Sequence, residues 1–482
     1  MIDEPCGDFP YDYCAAMRSV STASAALVAK EISARELVDE SIDRIEQFNE
    51  PLNAFVHVDV EGARAAADAI DERRAHGESL HPLAGIPFGV KDLEDASGMP
   101  TTRGSRWFAG DPNAERDDMH VERLRAAGAI PLGKTASPEF GAWAYTSSPA
   151  LGTTRNPWNL SQTPGGSSGG SSAAVSAGLV PFCTASDGGG SIRTPAGFCG
   201  LPGLKSTYGR IPTWRVTHLS QNAVHGILAA TVTDTAMLMD AIVGPHSYDR
   251  TSHQHPGHSY ASVIDHLPTK GLKAAWSSDL GMVTAFDPAV VAQAEAAMRI
   301  LVAAAGIELV EIDVRFDDYI MTYAHIEGVE SFIDLPSGLY PERADELDPR
   351  VRPGWDVNAQ VTLPKYAEAF TARRKLEHQV AAVLEKVDVI FTPMSAITAF
   401  GADGPMPTEI LGKPCHGGMS VLHGMLANLA NLPAMSVPAG LVAGMPIGLQ
   451  IIGRRFREDV CLRLARVIEQ AQPWPLTAPG YN

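Results

Sequence analysis

Basic residues are scarce in this 482-residue chain, and no block of lysine or arginine offsets the shortage. Lys and Arg together number 38 against 56 Asp and Glu, which gives a formal net charge of −18 at pH 7. Proteins that hold nucleic acid neutralise its phosphates with clustered basic side chains. The charge balance therefore predicts a small-molecule substrate and no nucleic-acid partner.

Cysteine is also rare, and the few cysteines are scattered without a CxxC spacing. A disulfide scaffold needs a high density of cysteine in a short chain, so the sequence favours reduced thiols. The six are Cys6, Cys14, Cys183, Cys199, Cys415 and Cys461.

Long apolar runs are missing as well, since no stretch reaches the length of about 18 uninterrupted apolar residues that a membrane span needs. The opening stretch, MIDEPCGDFPYDYC, has neither the basic segment nor the apolar segment of a secretory signal. We therefore expect a cytoplasmic protein without a membrane partner.

The sequence does contain a regular alternation of helix-like and strand-like segments. Residues 33–49 carry apolar side chains at helical spacing, and Ser33 with Glu36 three positions later forms a capping box. Residues 85–92 read as a short buried strand that ends in a Lys-Asp pair. Other helices and strands are predicted within 119–132, 287–312, 365–391 and 432–470. The alternation predicts an α/β protein with a largely buried mixed sheet.

Two segments rich in glycine and serine lie close together, TPGGSSGGSS at 163–172 and SDGGGSIRTP at 186–195. Consecutive glycines before a serine let several backbone N–H groups turn toward one point, a nest that suits the oxyanion of acyl transfer. Two ordinary turns are the alternative. The first segment runs directly into an apolar helix, and Asp187 and Arg193 flank the second and can pair across it. Both features favour a rigid functional element over a tether between domains.

Two further patterns bear on nucleotide and metal binding. GAIPLGKT at 128–135 fits the phosphate-loop spacing, but a helix precedes it, its middle is strand-like, and Pro131 removes one backbone N–H. His253, His255 and His258 offer metal ligands, but they fall in a proline-containing stretch within 246–270 that is typical of a solvated loop. We predict no cofactor and no metal.

The segments GGSSGGSSAAV and ASDGGGSIRTPAG resemble the signature of the amidase signature family of serine hydrolases. GIPFGVKD, AGAIPLGKTASPEF, CGLPGLKSTYGRIP and NLPAMSVPAG resemble further family segments in the same order. The similarity covers roughly residues 20–245 and 385–470. It implies the amidase signature fold, an α/β architecture with one large mixed β-sheet covered by helices on both faces. It also implies a single amidase domain over 1–482, a signature core at 165–195, and a variable region, 246–380, that contributes to the substrate pocket.

The resemblance also implies catalytic roles, namely Ser191 as the nucleophile, Ser167 as a serine that follows a cis peptide bond, and Lys91 as the base. A lysine can act as a base only when it is neutral, and burial behind the apolar IPFGV stretch favours that form. The oxyanion hole is implied in the N–H groups of Gly188, Gly189, Gly190 and Ser191. Asp187, Arg193 and Ser168 are implied as structural support, and Gly141, Trp143 and Tyr145 as substrate-binding residues.

One position departs from the family, because many members have threonine or isoleucine where this chain has Gly188. We expect this change to alter the flexibility of the loop without loss of catalysis. The loop at 391–400 is expected to form another wall of the pocket.

The resemblance implies an amidohydrolase that cleaves a small, apolar or aryl amide through an acyl-enzyme, like aryl acylamidases and cyclic-dimer amide hydrolases. A carbamate or ester hydrolase is an alternative, because both substrates offer the same carbonyl to the same nucleophile. A glutaminase subunit of the glutamyl-tRNA amidotransferase A type is a second alternative. A catalytically silent binding protein on the same fold is the alternative from another class. Family members occur as monomers and dimers, so a homodimer stays open.

Overall fold

A computed structural model of the chain describes residues 19–214, 221–333 and 335–481. Within those ranges, fourteen α-helices surround an eleven-stranded mixed β-sheet. The predicted fold class is therefore confirmed. Of the cysteines, Cys6 and Cys14 lie outside the described residues, and the other four are free thiols.

The strands of the large sheet are numbered here in chain order. They are β1 Phe55–Val58, β2 Pro87–Lys91, β3 Ile130–Thr135, β4 Phe182–Asp187, β5 Gly203–Lys205, β6 Val224–Ala229, β7 Lys273–Trp276, β8 Glu308–Leu309, β9 Val389–Pro393, β10 Ala434–Val442 and β11 Met445–Gly453. Their spatial order is β1-β3-β2-β4-β6-β5-β10-β11-β9-β7-β8. Strand β2 runs parallel to both β3 and β4, whereas β4 and β6 are antiparallel. Two short two-stranded ribbons complete the strands of the described residues.

The helices are α1 Val20–Ala29, α2 Ala34–Leu52, α3 Val60–Ala75, α4 Met119–Ala126, α5 Gly169–Ser176, α6 Arg193–Cys199, α7 Val232–Ile242, α8 Tyr260–Val263, α9 Pro288–Ala305, α10 Ile320–Glu330, α11 Arg352–Asn358, α12 Leu363–Leu384, α13 Leu422–Leu429 and α14 Glu458–Ala471. Short 3₁₀ turns lie at Arg106–Phe108, Glu139–Gly141, Ser331–Ile333, Ala344–Glu346 and Gly417–Val421.

Local sequence signals account for several of these boundaries. Helix α2 begins after Ser33, whose side chain accepts from the N–H of Glu36 while the Glu36 side chain accepts from the N–H of Ser33, so the predicted capping box is confirmed. Helix α9 begins with Pro288 directly after its N-cap, Asp287. The strand predicted at 308–312 is shorter than expected, because only Glu308–Leu309 pairs with β7 at the edge of the sheet.

Helix α9 is the one helix in the described ranges that is long and apolar enough to cross a membrane by length and composition. In the fold it packs against β9, β10, β11 and α14. Val290, Ala294, Ala297, Met298 and Leu301 form its buried side.

The parallel pairing of β2 and β4 brings their carboxyl ends to the same edge of the sheet. The two strands are held together on one face by stacked rings of Phe88 and Phe182, whose centroids are 5.0 Å apart. Strand β2 ends at Lys91 and β4 ends at Asp187. Crevices outside the carboxyl ends of strands are the usual place for ligands in open α/β sheets, so this edge is where a site is expected.

Candidate active site

Lys91 is fully buried at the end of β2 and points its amine at three serines. Its Nζ lies 2.8 Å from Ser167 Oγ, 2.8 Å from Ser168 Oγ and 3.0 Å from Ser186 Oγ. Ser167 and Ser168 come from the glycine- and serine-rich segment, and Ser186 comes from β4. The structure thus brings the proposed base and the proposed relay serine into direct contact, with two more hydroxyls around the same nitrogen.

The environment of Lys91 favours a neutral amine. Burial lowers its pKa from 10.5 to about 8, although the negative charges of Glu94 and Asp187 act in the opposite direction. A substantial neutral fraction is therefore present near neutral pH, which general base catalysis requires.

The segment at 163–172 is ordered and buried throughout, so the tether interpretation is wrong. The Gly166–Ser167 peptide bond is cis. A side chain at Gly170 would lie 2.3 Å from the backbone nitrogen of Ala136, which shows how closely the segment packs on the chain that follows β3. Helix α5 begins at Gly169, two residues after Ser167, and so starts inside the segment and before the apolar sequence from Ala173 that predicts it.

A buried ion pair fixes the loop between β4 and α6. The guanidinium of Arg193 donates to both carboxylate oxygens of Asp187, at 2.9 Å from Nε and 2.8 Å from Nη2. The same guanidinium donates to the side-chain oxygens of Asn428 and Gln450. Burial alone would raise the pKa of Asp187, but Arg193 outweighs it and holds that pKa well below its usual range. Because this ion pair is fully buried and its remaining hydrogen bonds are satisfied, it holds the loop in one conformation.

The carboxylate of Asp187 also organises the backbone around the nucleophile. It accepts from the N–H of Gly190 at 2.8 Å and from the N–H of Ile192 at 3.1 Å. The prediction that Gly190 donates to an oxyanion therefore needs correction, because its N–H is already directed to Asp187. The N–H groups of Gly188, Gly189 and Ser191 stay as the candidate donors.

The turn that follows Lys91 at the end of β2 and the loop that carries Ser191 border a cavity of about 540 Å³. Ser167, Ser186 and Ser191 line it, and the carbonyl of Ser191 accepts from the N–H of Ser168 at 3.3 Å. A volume of this size suits a small molecule. The serines of the two glycine-rich segments therefore meet at one ligand-sized space.

The structure separates the three residues predicted to bind substrate. Gly141 and Trp143 line the cavity, and a side chain at Gly141 would come within 3.3 Å of Ser167 Oγ. Tyr145 is buried behind Trp143, with ring centroids 6.0 Å apart, and does not line the cavity. The prediction that Tyr145 contacts substrate is therefore corrected, because it supports the wall from behind.

The remaining walls come from parts of the chain that are far apart in sequence. Ile320, Tyr323 and Trp355 from the variable region line the cavity, as do Met406, Leu422 and Met425. The expected wall at 391–400 is absent from the lining. The lining residues nearest in sequence to that segment lie further along the chain, at 406–425, which includes the start of α13.

Sequence reasoning did not identify Ser186 as a partner of Lys91, nor the cluster of Glu94, His120 and His225. Glu94 and His225 line the cavity. The cluster is the one set of three potential metal ligands within the described ranges, and no such set forms at His253, His255 and His258. Glu94 lies three residues after Lys91, which is a detectable signal, but the histidines lie 26 and 131 residues further along the chain.

Gly188 and Gly189 allow a matched test of the oxyanion loop. A side chain at Gly188 would have only ordinary contacts, 3.7 Å to Ala223 Cβ, whereas one at Gly189 would lie 2.3 Å from Tyr323 Oη. We expect Gly188→Ala to keep amide hydrolysis within about threefold of the unmodified protein. Gly189→Ala keeps the backbone N–H but forces the loop away from Tyr323. We expect this displacement to reduce hydrolysis by about 10²–10³-fold, as removal of an oxyanion donor does. Steady-state kinetics of the two variants check this, and equal activities would contradict the assigned loop geometry.

Comparisons with known proteins identify the family. Residues 36–462 match the amidase family. The A subunit of glutamyl-tRNA(Gln) amidotransferase from Synechococcus sp. (strain CC9605) is 37% identical over 92% of this chain and 94% of its own. The corresponding protein from Chloroflexus aggregans (strain MD-66 / DSM 9485) is 35% identical over 96% of this chain and 98% of its own.

Solved structures give the same result. A bacterial aryl acylamidase of the amidase signature family superposes with a TM-score of 0.87 at 26% identity, over 95% of this chain and 97% of its own. 6-Aminohexanoate cyclic dimer hydrolase, in complex with its substrate, gives 0.85 at 28%, over 98% and 100%. The A subunit of glutamyl-tRNA(Gln) amidotransferase from Thermotoga maritima gives 0.80 at 29%, over 98% and 99%.

The chain therefore belongs to the amidase family, and it is an amide-cleaving hydrolase with the amidase signature fold. The predicted family resemblance is confirmed. Among the alternatives for its finer function, the relatives favour the amidotransferase subunit over the stand-alone amidase.

The same relatives show that the prediction of no nucleic-acid partner is wrong. The relatives are subunits of an amidotransferase named for a tRNA, which points to protein partners and tRNA. The net charge of −18 led to this wrong prediction because it describes a single chain and not an assembly of chains. In an assembly, another subunit can supply the basic surface that contacts phosphate.

Proposed function

We propose that the protein cleaves a carboxylic amide through an acyl-enzyme formed on Ser191. The observation that supports it most is the 2.8 Å contact between the buried Lys91 amine and Ser167 Oγ at the cavity that Ser191 lines. A serine hydroxyl is a weak nucleophile and needs a base, and a neutral lysine that acts through a hydroxyl provides one.

The proposed reaction has two stages. In the first, Ser191 Oγ attacks the carbonyl carbon while its proton passes to Ser167, whose own proton passes to Lys91. The oxyanion accepts hydrogen bonds from the N–H groups of Gly188, Gly189 and Ser191. The leaving nitrogen then takes a proton back through Ser167 and departs. In the second stage a water molecule attacks the acyl carbon and gives a proton to the same relay. The bond between the acyl carbon and Ser191 Oγ then breaks, the relay returns that proton to Ser191 Oγ, and the carboxylic acid leaves.

For the substrate, we propose the side-chain amide of glutamine, cleaved by this chain as the A-type component of a tRNA-dependent amidotransferase. The relatives at 35–37% identity over nearly the whole chain support it. The cavity supports it as well, because its lining carries both Arg103 and Asp249. Glutamine has an α-carboxylate and an α-ammonium, which need partners of both signs.

A stand-alone hydrolase of apolar or aryl amides is the second candidate, with carbamates and esters as related substrates. The aromatic and thioether lining favours it, since Phe140, Trp143, Trp355, Met406 and Met425 all border the cavity. The likeness to the aryl acylamidase structure supports it too. Such surfaces bind aryl and aliphatic groups through burial of apolar area.

One assay separates these functions. Ammonia release from glutamine is measured with the chain alone and with the remaining subunits of a glutamyl-tRNA(Gln) amidotransferase and tRNA, beside panels of anilides, carbamates and esters. We expect glutamine hydrolysis that rises at least about tenfold with partner subunits present. Efficient turnover of an anilide by the chain alone, without glutaminase activity, would instead establish the second candidate. Absence of turnover in every arm would favour a silent binding protein.

A further inference from the structure

Glu94, His120 and His225 form a buried hydrogen-bonded cluster beside the catalytic lysine. The carboxylate of Glu94 lies 3.0 Å from His120 Nε2 through Oε2 and 3.4 Å from His225 Nδ1 through Oε1. Glu94 and His120 have no exposed surface, and the His225 side chain is 18% exposed toward the cavity. The two imidazole rings stack with centroids 4.3 Å apart at 22°.

This arrangement suits shared protons better than a metal ion. Two imidazoles that bind one metal direct their lone pairs to a common point, whereas nearly parallel stacked rings direct them side by side. Two imidazolium ions at this separation would also repel each other strongly. An ionised carboxylate only accepts hydrogen bonds, so each ring directs an N–H to Glu94, and Nδ1 of His120 finds no partner among the described residues.

The cluster is joined to Lys91 by short covalent and hydrogen-bonded paths. The N–H of Glu94 donates to the carbonyl of Lys91 at 2.9 Å, so both side chains start from the same turn. His225 lies directly opposite Ser186 in the register of β4 and β6, on the same face of the sheet. Ser186 Oγ in turn lies 3.0 Å from Lys91 Nζ. The cluster of Glu94, His120 and His225 therefore lies next to Lys91, the proposed base.

We propose that Glu94, kept ionised by the two imidazoles, is a positioning residue that holds a negative charge beside Lys91 and thereby determines the pH range in which the enzyme works. The proposal rests on the proposed function in one respect, since it takes Lys91 as the base. His120 and His225 act through Glu94, and none of the three needs to touch the reacting atoms.

Electrostatics supports the direction of this effect. Burial is the largest influence on Lys91 and lowers its pKa, while Glu94 is the strongest influence that raises it. Burial would also raise the pKa of Glu94, but His120 and His225 hold that pKa well below its usual range. A negative charge near a lysine favours the charged form, so its removal should make the lysine neutral at lower pH.

Other charged groups face this region from every neighbouring element. They are Asp92 and Asp95 in the turn after β2, Asp118 at the start of α4, Lys134 on β3 and Asp187 at the end of β4. Lys134 Nζ donates to the carbonyl oxygen of Glu94, and Asp187 is paired with Arg193. The substitution Glu94→Gln retains the main-chain carbonyl that Lys134 contacts and leaves the Asp187–Arg193 pair untouched, so it is designed to change the charge of residue 94 alone.

The test uses Glu94→Gln in the full-length protein. The rate of Ser191 labelling by a fluorophosphonate is measured from pH 5 to 10, which needs no knowledge of the substrate. We expect the midpoint near pH 8 to fall by about one pH unit, so that the neutral fraction of Lys91 at pH 7 rises about fivefold. The matched control is Glu122→Gln, a change of the same kind at an exposed position on α4, and its midpoint should not move.

A double variant distinguishes this role from a purely structural one. His120→Phe keeps an aromatic ring in the stack but removes a donor, so Glu94 should take up a proton and the midpoint should fall in the same direction. Because both changes remove the same charge, Glu94→Gln/His120→Phe should shift the midpoint no further than Glu94→Gln alone. Additive shifts would contradict the proposal.

A direct readout separates this proposal from the proposed function. The ¹³Cε resonance of Lys91, assigned by its loss in Lys91→Met, should titrate at lower pH in Glu94→Gln. If that resonance moves and the labelling profile does not, the coupling stands and Lys91 is not the base. If neither moves, the proposal is overturned. One tightly bound metal ion per chain that Glu94→Gln removes would also overturn it.

Discussion

Replacing Ser191 by alanine is expected to lower amide hydrolysis by about four to six orders of magnitude, because covalent catalysis is lost when the nucleophile is removed. Ser191 lines the cavity near the end of the loop that Asp187 and Arg193 hold in place. Loss of a single hydroxyl there should leave the fold intact. Turnover of the substrate found by the panel, measured by ammonia or amine release, checks the prediction.

Ser172→Ala is the matched control for that variant. Ser172 belongs to the glycine- and serine-rich segment at 163–172 and is fully buried, whereas Ser191 is partly exposed to the cavity. The Ser172 hydroxyl donates to the carbonyl of Gly169 at 3.1 Å and does not contact Lys91. We expect activity within about threefold of the unmodified protein. Comparable losses in both variants would mean that the loss comes from disturbed packing and not from removal of the nucleophile.

Replacing Lys91 by methionine is expected to lower the rate by about 10²–10⁴-fold, the usual contribution of a general base. Methionine keeps an unbranched stem in the buried site and removes the amine. The pH profile should change too. Burial lowers the pKa of Lys91 to about 8, so the neutral fraction, and with it the rate, rises as pH increases through about 8. In Lys91→Met this rise should disappear.

The measurement is kcat/KM from pH 6 to 9, with a thermal melt to establish that Lys91→Met is folded. Lys386→Met changes an exposed lysine in the same way and should leave both the rate and the pH profile unaltered. A Lys91→Met variant that hydrolyses amides at the unmodified rate across this range would show that the proton relay is wrong.

Much of the fold could be predicted from local sequence. The capping box at Ser33, the proline that opens α9 and the paired strands near the chain end are signals read within a few residues. Edge strand β8 was overestimated, because strand length at an edge depends on how far its neighbour extends. That information lies elsewhere in the chain.

The site divides in the same way. Lys91, Ser167 and Ser191 were identified from motif resemblance, and the structure brings Lys91 into contact with Ser167. Ser186 and His225 were missed, because only the register of β4 against β6 places them opposite each other near Lys91. His120 was missed because it reaches the cluster from a different element, helix α4. The prediction that Tyr145 contacts substrate was wrong because the sequence does not indicate on which side of a pocket wall an aromatic residue lies.

The location in the cytoplasm and the single-domain organisation stay predictions. Much of the cavity lining comes from 320–358, where the sequence resemblance to the family is loose, and from 406–425, which the sequence did not indicate as a wall. The relatives indicated a nucleic-acid partner, which the composition could not do, because an acidic chain can act beside a basic partner.

The account depends above all on Ser191 as the nucleophile. The most direct test is reaction of the unmodified protein with a fluorophosphonate, followed by peptide mass spectrometry to locate the adduct. We predict one adduct per chain on Ser191, lost in Ser191→Ala and strongly slowed in Lys91→Met. An adduct on Ser167 or another serine, or no adduct at all, would contradict the account.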